Sequence, residues 1–364
     1  MRPAFREEEL AVQGHYTHVI PVLTGVPKLA SPVTTRENTL LMMNGRTPYW
    51  YPMVGMIGGD YRPLRPRMFP DLLVAHDVMD GEPPFDFSSL PPVLGGWFDT
   101  RWRYVQTVGG PMIEPGSQKI DDMNDWQKLT WPNLDDYDWE GSAERNKDYV
   151  NCGLPVEFCI PTGYWERLMS LLEVDLAAVA LVDEDQKGAV HAFYTKLTDF
   201  YEDYLERVRK YYHADLILMH DDWGHQRSQF FSNETHREMI LPYFSRFVKK
   251  AHDLGMRFEL HCCGKSEGLV ENMIEAGVDL WNPQDMNDIH GLAERYRGCG
   301  ITFGVQLPIV APGMPNEEEL AEKTAREFVE EYGTLPVAYL NYGGSELLYK
   351  YVYKYSRIAL AGEG

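Results

Sequence analysis

Disulfide chemistry has little to work with in this chain. Five cysteines in 364 residues are an odd and sparse set, which excludes a disulfide framework. Positive charge is also short: 34 basic against 55 acidic residues give a formal charge of -21. That balance disfavours nucleic acid and anionic membrane as partners. No stretch approaches the roughly 18 apolar residues of a membrane span. The opening Met-Arg-Pro-Ala-Phe-Arg-Glu-Glu-Glu lacks the apolar core of a signal peptide. No Gly-x-Gly-x-x-Gly and no phosphate-binding lysine loop is found, which weakens nucleotide binding as a function. The expectation is a soluble cytoplasmic protein.

The chain is rich in apolar and aromatic residues, 44% hydrophobic with 9 Trp and 22 Tyr, so it can bury a large core. Residues 1–33 read as an irregular or marginally helical extension. Thr34 or Thr35 caps a short helix that ends at Asn44-Gly45. Val54-Gly-Met-Ile57 is a candidate first strand. Residues 60–150 carry recurrent prolines and little periodicity, and read as an elaboration near one end of the core. From 151 onward strand and helix alternate. Strand starts fall near 216, 257, 278, 301 and 337, and Gly255 and Gly277 close helices. Such alternation predicts parallel strands with helical crossovers: a TIM (β/α)8 barrel in a single domain over 1–364, or else a doubly wound sheet.

Polar clusters fall where strands end. Phe258-Glu-Leu-His-Cys-Cys-Gly264 runs from a buried strand into a histidine, two thiols and a glycine. His261 and Cys263 are two apart, so an extended backbone sends both to one side and Cys262 into the wall. An imidazole and a thiolate converging are half of a borderline-soft metal site, with zinc the expected occupant. For a third ligand the sequence offers Glu157, then His225, then Cys159. Cys299 precedes its strand and is set aside. His220-Asp-Asp-Trp-Gly-His-Gln226 is a second exit. Asp221 and Asp222 point opposite ways if extended, and Asp222 is the choice for the pocket, with His261 as its catalytic companion. Trp223 is a candidate wall for an apolar substrate. Gln226, Gln284, Gln306 and Tyr342 are further candidate substrate contacts at strand exits.

Taken in order, these motifs resemble the uroporphyrinogen decarboxylase superfamily, and more closely its cobalamin-dependent methyltransferase branch. Arg36-Glu37, Asn44-Gly45-Arg46, Tyr164-Trp-Glu-Arg-Leu168, Asp221-Asp-Trp-Gly-His-Gln226, His261-Cys-Cys-Gly264, Gly277-Val-Asp279 and Asn282-Pro283 carry the likeness. The resemblance implies a single α/β barrel with a zinc at its mouth, His261 and Cys263 matching two of the ligands. It also implies a partner corrinoid protein that supplies cobalamin. The branch's further cysteine near the last strand is replaced here by Leu340-Asn-Tyr-Gly-Gly344, which argues against a thiol acceptor.

The expected reaction moves a methyl group from a small methylated substrate, an aryl methyl ether first, to cob(I)alamin. Trp50, Trp97, Trp102, Trp165 and Trp223 motivate the aromatic substrate. The alternatives are a decarboxylase, for which Arg101, Arg103 and Arg227 are the arginine supply, and a non-catalytic ligand-binding homologue. A homodimer is allowed.

Overall fold

The computed structural model describes residues 2–17, 24–55, 59–64, 94–105, 110–160 and 162–362. In chain order the strands are β1 (Val12–Thr17), β2 (Thr24–Leu29), β3 (Met53–Val54), β4 (Arg62–Leu64), β5 (Leu94–Gly95), β6 (Arg101–Val105), β7 (Gly110–Ile113), β8 (Val156–Ile160), β9 (Leu216–His220), β10 (Arg257–Cys262), β11 (Leu280–Pro283), β12 (Thr302–Gln306) and β13 (Val337–Leu340). The helices are α1 (Thr35–Met43), α2 (Trp139–Val150), α3 (Tyr164–Leu172), α4 (Val174–Ala180), α5 (Glu184–Tyr212), α6 (Asn233–Met239), α7 (Leu241–Asp253), α8 (Val270–Ala276), α9 (Ile289–Arg295), α10 (Glu317–Tyr332) and α11 (Glu346–Ala359).

Eight strands form one sheet in the order β3-β13-β12-β11-β10-β9-β8-β4. From β8 to β13 each strand lies beside its neighbour in sequence. A doubly wound sheet reverses its order at a switch point, and no reversal occurs along this run. The fold is therefore α/β and TIM-barrel-like. The ladders β9–β10, β11–β12, β12–β13 and β13–β3 are parallel, as helical crossovers require.

The chain divides into two compact units. One comprises Met1–Pro63, Lys147–Glu157 and Asp279–Gly364. Its helix α1 starts as the sequence predicts. Thr34 accepts from the Glu37 N–H while Glu37 reaches back to the Thr34 N–H, so two otherwise orphaned donors are satisfied. The extension before it is a hairpin, β1 antiparallel to β2, where the sequence suggested irregular chain. Gly14 and Pro27 lie inside these strands, and both residue types weaken a strand signal. A buried ion pair ties this segment to the last helix. Arg357 donates through Nε to Glu9 Oε2 at 2.9 Å and through Nη2 to Oε1 at 3.1 Å, and Tyr353 Oη donates to the same carboxylate at 2.6 Å.

The other unit comprises Leu64–Asn146 and Phe158–Val278. Its elaboration includes the antiparallel β5-β6-β7 sheet and helix α2 as far as Asn146, which sequence periodicity did not reveal. Residues 56–58, 65–93 and 106–109, within the segments read as first strand and elaboration, lie outside the described residues. The stretch that Gly255 closes holds two helices, α6 and α7. Pro242 lies in the first turn of α7 and cannot donate backward, so the chain restarts there. Gly255 and Gly277 have φ of +78° and +90° and stop α7 and α8 in the left-handed conformation that glycine adopts without strain.

Removing one partner of the Glu9–Arg357 pair leaves a fully buried guanidinium uncompensated. Glu9→Ala is expected to cost about 3–5 kcal/mol, read by urea denaturation. A loss below about 1 kcal/mol would show that the pair acts as a surface bridge does.

Candidate metal centre

The centre is built by two parallel neighbours. Strands β9 and β10 run in register with His261 opposite His220. Phe258 packs edge-on against Phe244 and Phe247 of α7, with centroids 5.5 and 5.8 Å apart. That contact fixes the faces of β10. Period-two alternation turns Arg257, Glu259 and His261 away from α7. His220, the in-register neighbour, has its ring centroid 4.7 Å from that of His261.

Beyond the last paired residues the ladder gains one more bond, from Asp221 N to the His261 carbonyl at 3.1 Å. The two exit loops then cross. Cys263 N donates to Asp222 Oδ1 at 2.7 Å, and Trp223 N donates to Cys262 Sγ at 3.2 Å. Lys265 N donates to the His225 carbonyl at 2.9 Å. Gly224 and Gly264 meet back to back: a Cβ on Gly264 would lie 2.3 Å from the Gly224 carbonyl, and one on Gly224 would lie 2.7 Å from Lys265 O. Neither contact is sterically allowed, so the Asp-Asp-x-Gly and His-x-Cys-Gly patterns both need their glycine.

Asp222, His261 and Cys263 are thereby brought together, one donor atom from each lying within 4.8 Å of the others. His261 Nε2 is 3.1 Å from Cys263 Sγ. His261 is buried, and Asp222 and Cys263 are partly exposed. Burial, and next the adjacent Asp222 carboxylate, push the Cys263 thiol well above its ordinary range. A divalent cation inverts that logic, because it makes thiolate the favoured form. One imidazole, one thiol and one carboxylate fit zinc, and three protein ligands leave a coordination position for substrate. Cys262 points away, fully buried, and donates to Ser266 Oγ at 3.2 Å; burial raises its thiol too.

The other residues singled out from sequence fall as follows. Asp221 is fully buried and accepts from the N–H groups of Tyr164, Trp165 and Glu166. Burial raises its pKa to about 6, against the lowering effect of these bonds. Trp223 is buried, its ring 4.5 Å from His236 and 5.2 Å from Phe244, with Nε1 donating to Asp221 at 2.8 Å. Gln226 is exposed in the loop that folds back through the Gly224–Gln229 bridge. His225 sits in that loop, its Nε2 2.9 Å from Ser228 Oγ. Glu157 and Cys159 are fully enclosed in β8. Gln284, Gln306 and Tyr342 lie at the exits of β11, β12 and β13, with Gln306 and Tyr342 exposed. Trp50, Trp97, Trp102 and Trp165 are buried, as Trp223 is. The sequence placed Asp222 in the pocket but did not rank it as the third donor beside His261 and Cys263.

Residues 179–309 match the family described as uroporphyrinogen decarboxylase (URO-D), a stretch that holds all three donors. The expected resemblance to that superfamily is borne out over these residues. No curated protein matches the chain. Among solved structures, a methyltransferase from Methanosarcina mazei is 14% identical, with 69% of this chain and 71% of that one covered and a TM-score of 0.45. The IOLI protein, solved with a bound zinc atom, is 11% identical over 63% of this chain and 80% of its own, at a TM-score of 0.34. D-psicose 3-epimerase from Clostridium cellulolyticum H10 is 13% identical over 66% and 85%, at 0.35.

His236, which underlies Trp223, supplies a pH test. It is fully buried with Nδ1 3.0 Å from Asn272 Nδ2, and burial, with Arg237 nearby, lowers its pKa to about 3. The unfolded value is about 6.5, so the unfolded state binds the proton more readily. This contribution is complete above about pH 6.5 and is lost as pH falls toward 3. Asp221, raised instead, has the opposite slope. Between pH 7 and 4 the wild type should lose about 3 kcal/mol relative to His236→Phe, read from denaturation at each pH. Parallel stability curves would contradict a buried neutral His236.

Proposed function

We propose that this protein is a methyltransferase. It hands the methyl group of a small methylated substrate, with an aryl methyl ether as the first class, to the cob(I)alamin of a separate corrinoid protein. The observation that carries this reading is the Asp222–His261–Cys263 donor set at two adjacent strand exits, inside the stretch matched by the uroporphyrinogen decarboxylase family. A zinc held by these residues supplies Lewis acidity toward the heteroatom that bears the methyl group, and a reduced corrinoid supplies the nucleophile.

The chain's own residues hold and orient. His261 offers Nε2 from the end of a strand that α7 packs rigidly from behind. Cys263 follows on the same side, its amide fixed by Asp222 Oδ1, so Asp222 both orients the thiol and presents its own carboxylate. The loop leaving Asp222 carries Phe230, half-buried and 5.5 Å from the His225 ring. The Phe230 ring also packs 5.5 Å from the buried Trp165. The tryptophans that motivated an aromatic substrate lie in core packing. A decarboxylase pocket needs arginines for anionic groups; Arg101 and Arg103 both engage Glu114, at 2.6 and 2.9 Å, which leaves Arg227, exposed in the loop after Asp222.

Two measurements bear on this function. Protein purified without added metal should contain one zinc per chain, and Cys263→Ala should lose it; full retention by the variant would remove Cys263 from the centre. Mixed with cob(I)alamin, the protein should convert the corrinoid spectrum to the methylated form with methoxylated aromatics. Asp222→Ala and His261→Ala should slow that conversion by more than the ~10–100-fold typical of outer-sphere changes. Turnover with methylamines alone would reject the aryl ether and keep the mechanism. No methylation from any donor, with metal and the native corrinoid partner present, would reject methyl transfer.

A further inference from the structure

We infer that Asp221 is the positioning residue of the metal centre: its buried carboxylate fixes the backbone on both sides of Asp222 and thereby the geometry of the three-donor set. The inference rests on the metal-centre reading of Asp222, His261 and Cys263.

Asp221 is anchored from three directions. Its Oδ2 accepts from Tyr164 N at 2.9 Å, Trp165 N at 3.2 Å and Trp223 Nε1 at 2.8 Å, and its Oδ1 accepts from Glu166 N at 2.9 Å. Its own N–H donates to the His261 carbonyl at 3.1 Å. One residue thus joins the first turn of α3, strand β10 and the indole of Trp223. Trp223 is in turn pinned through its N–H to Cys262 Sγ at 3.2 Å. Asp222 lies between these two fixed residues. With planar peptides on either side, its backbone torsions are dictated by its neighbours, and so is the origin of its side chain.

An ordinary helix cap does not explain this arrangement. The N-cap residue of α3 is Gly163, which has no side chain to offer. A local Ser, Thr or Asp would satisfy one of these N–H groups. Instead the acceptor comes from a residue 57 positions later. A Cβ on Gly163 would fall 2.4 Å from Cβ and Cγ of Asp221, so the helix gives up its own cap to seat that carboxylate. The helix terminus also favours a negative charge there, in a position where burial otherwise opposes it. The consequence is a rigid mount for the residue that follows.

Cobalt(II) titration of the apo-protein tests the assignment by a readout other than activity. The wild type should bind one cobalt with a thiolate charge-transfer band. Asp221→Ala should bind it about 10–100-fold more weakly, with an altered d–d envelope. Asp221→Asn keeps an oxygen acceptor and should fall between the two. Trp223→Phe removes only the indole donor and should shift the spectrum in the same direction. Leu168→Ala, buried in α3, serves as a control that lowers the melting temperature and leaves affinity and spectrum alone. Should Asp221→Ala fail to fold, Asp221→Asn and Trp223→Phe carry the test. Wild-type affinity and spectrum in folded Asp221 variants, with only the melting temperature lowered, would make Asp221 a structural cap and overturn the inference. A wild type without a thiolate–cobalt band would overturn the metal centre itself, and this inference with it.

Discussion

The crossing of the β9 and β10 exit loops is the constraint on which the candidate centre depends. Two parallel strands hold His220 and His261 side by side. The backbone bond from Asp221 N to His261 O carries that register one residue past the strand. The bond from Cys263 N to Asp222 Oδ1 then locks one loop to the other. Gly224 on Gly264 sets the separation, since a side chain on either would meet backbone. Each link satisfies a polar group that would otherwise cost about 1–3 kcal/mol if buried unpaired. The donor set is therefore a by-product of satisfying the backbone where the strands end.

Stability for this polar face comes from the opposite side of the same strands. Phe258 and Leu260 are fully buried, and Phe258 packs on Phe244 and Phe247. Each such side chain contributes roughly 1.5–3 kcal/mol on leaving water. The strand can then carry Glu259, His261 and Cys263 on its other face without losing its place. The third layer is the aromatic wall of Trp223, His236 and Phe231, where His236 lies 4.5 Å from Trp223 and 5.7 Å from Phe231.

Much of this was legible in the chain. The strand starts, the glycine stops after α7 and α8, and the Thr34 cap are local signals with local causes. The pairing of His261 with Cys263, and the turning of Cys262 into the wall, follow from period-two alternation alone. Other features depend on tertiary context. The third donor is set by the register of β9 against β10, and nothing within Asp221-Asp-Trp reports that register. Glu157, a carboxylate inside an apolar run, was offered for the role, while among the described residues the structure groups Asp222 with the pair. Asp221 as a remote cap for α3 is invisible for the same reason: its partner segment is 57 positions away. The N-terminal hairpin stayed hidden because Gly14 and Pro27 contradict a strand locally. Their cost is met by pairing across the hairpin, which a window of neighbouring residues does not register.

The central claim is that two crossed strand exits build one metal site from Asp222, His261 and Cys263. X-ray absorption at the zinc edge of protein purified without added metal tests it most directly. The structure predicts one sulfur scatterer at about 2.3 Å and nitrogen or oxygen scatterers at about 2.0–2.2 Å, including an imidazole. Zinc with no sulfur in its first shell, or with two or more, would contradict a site made by these three residues.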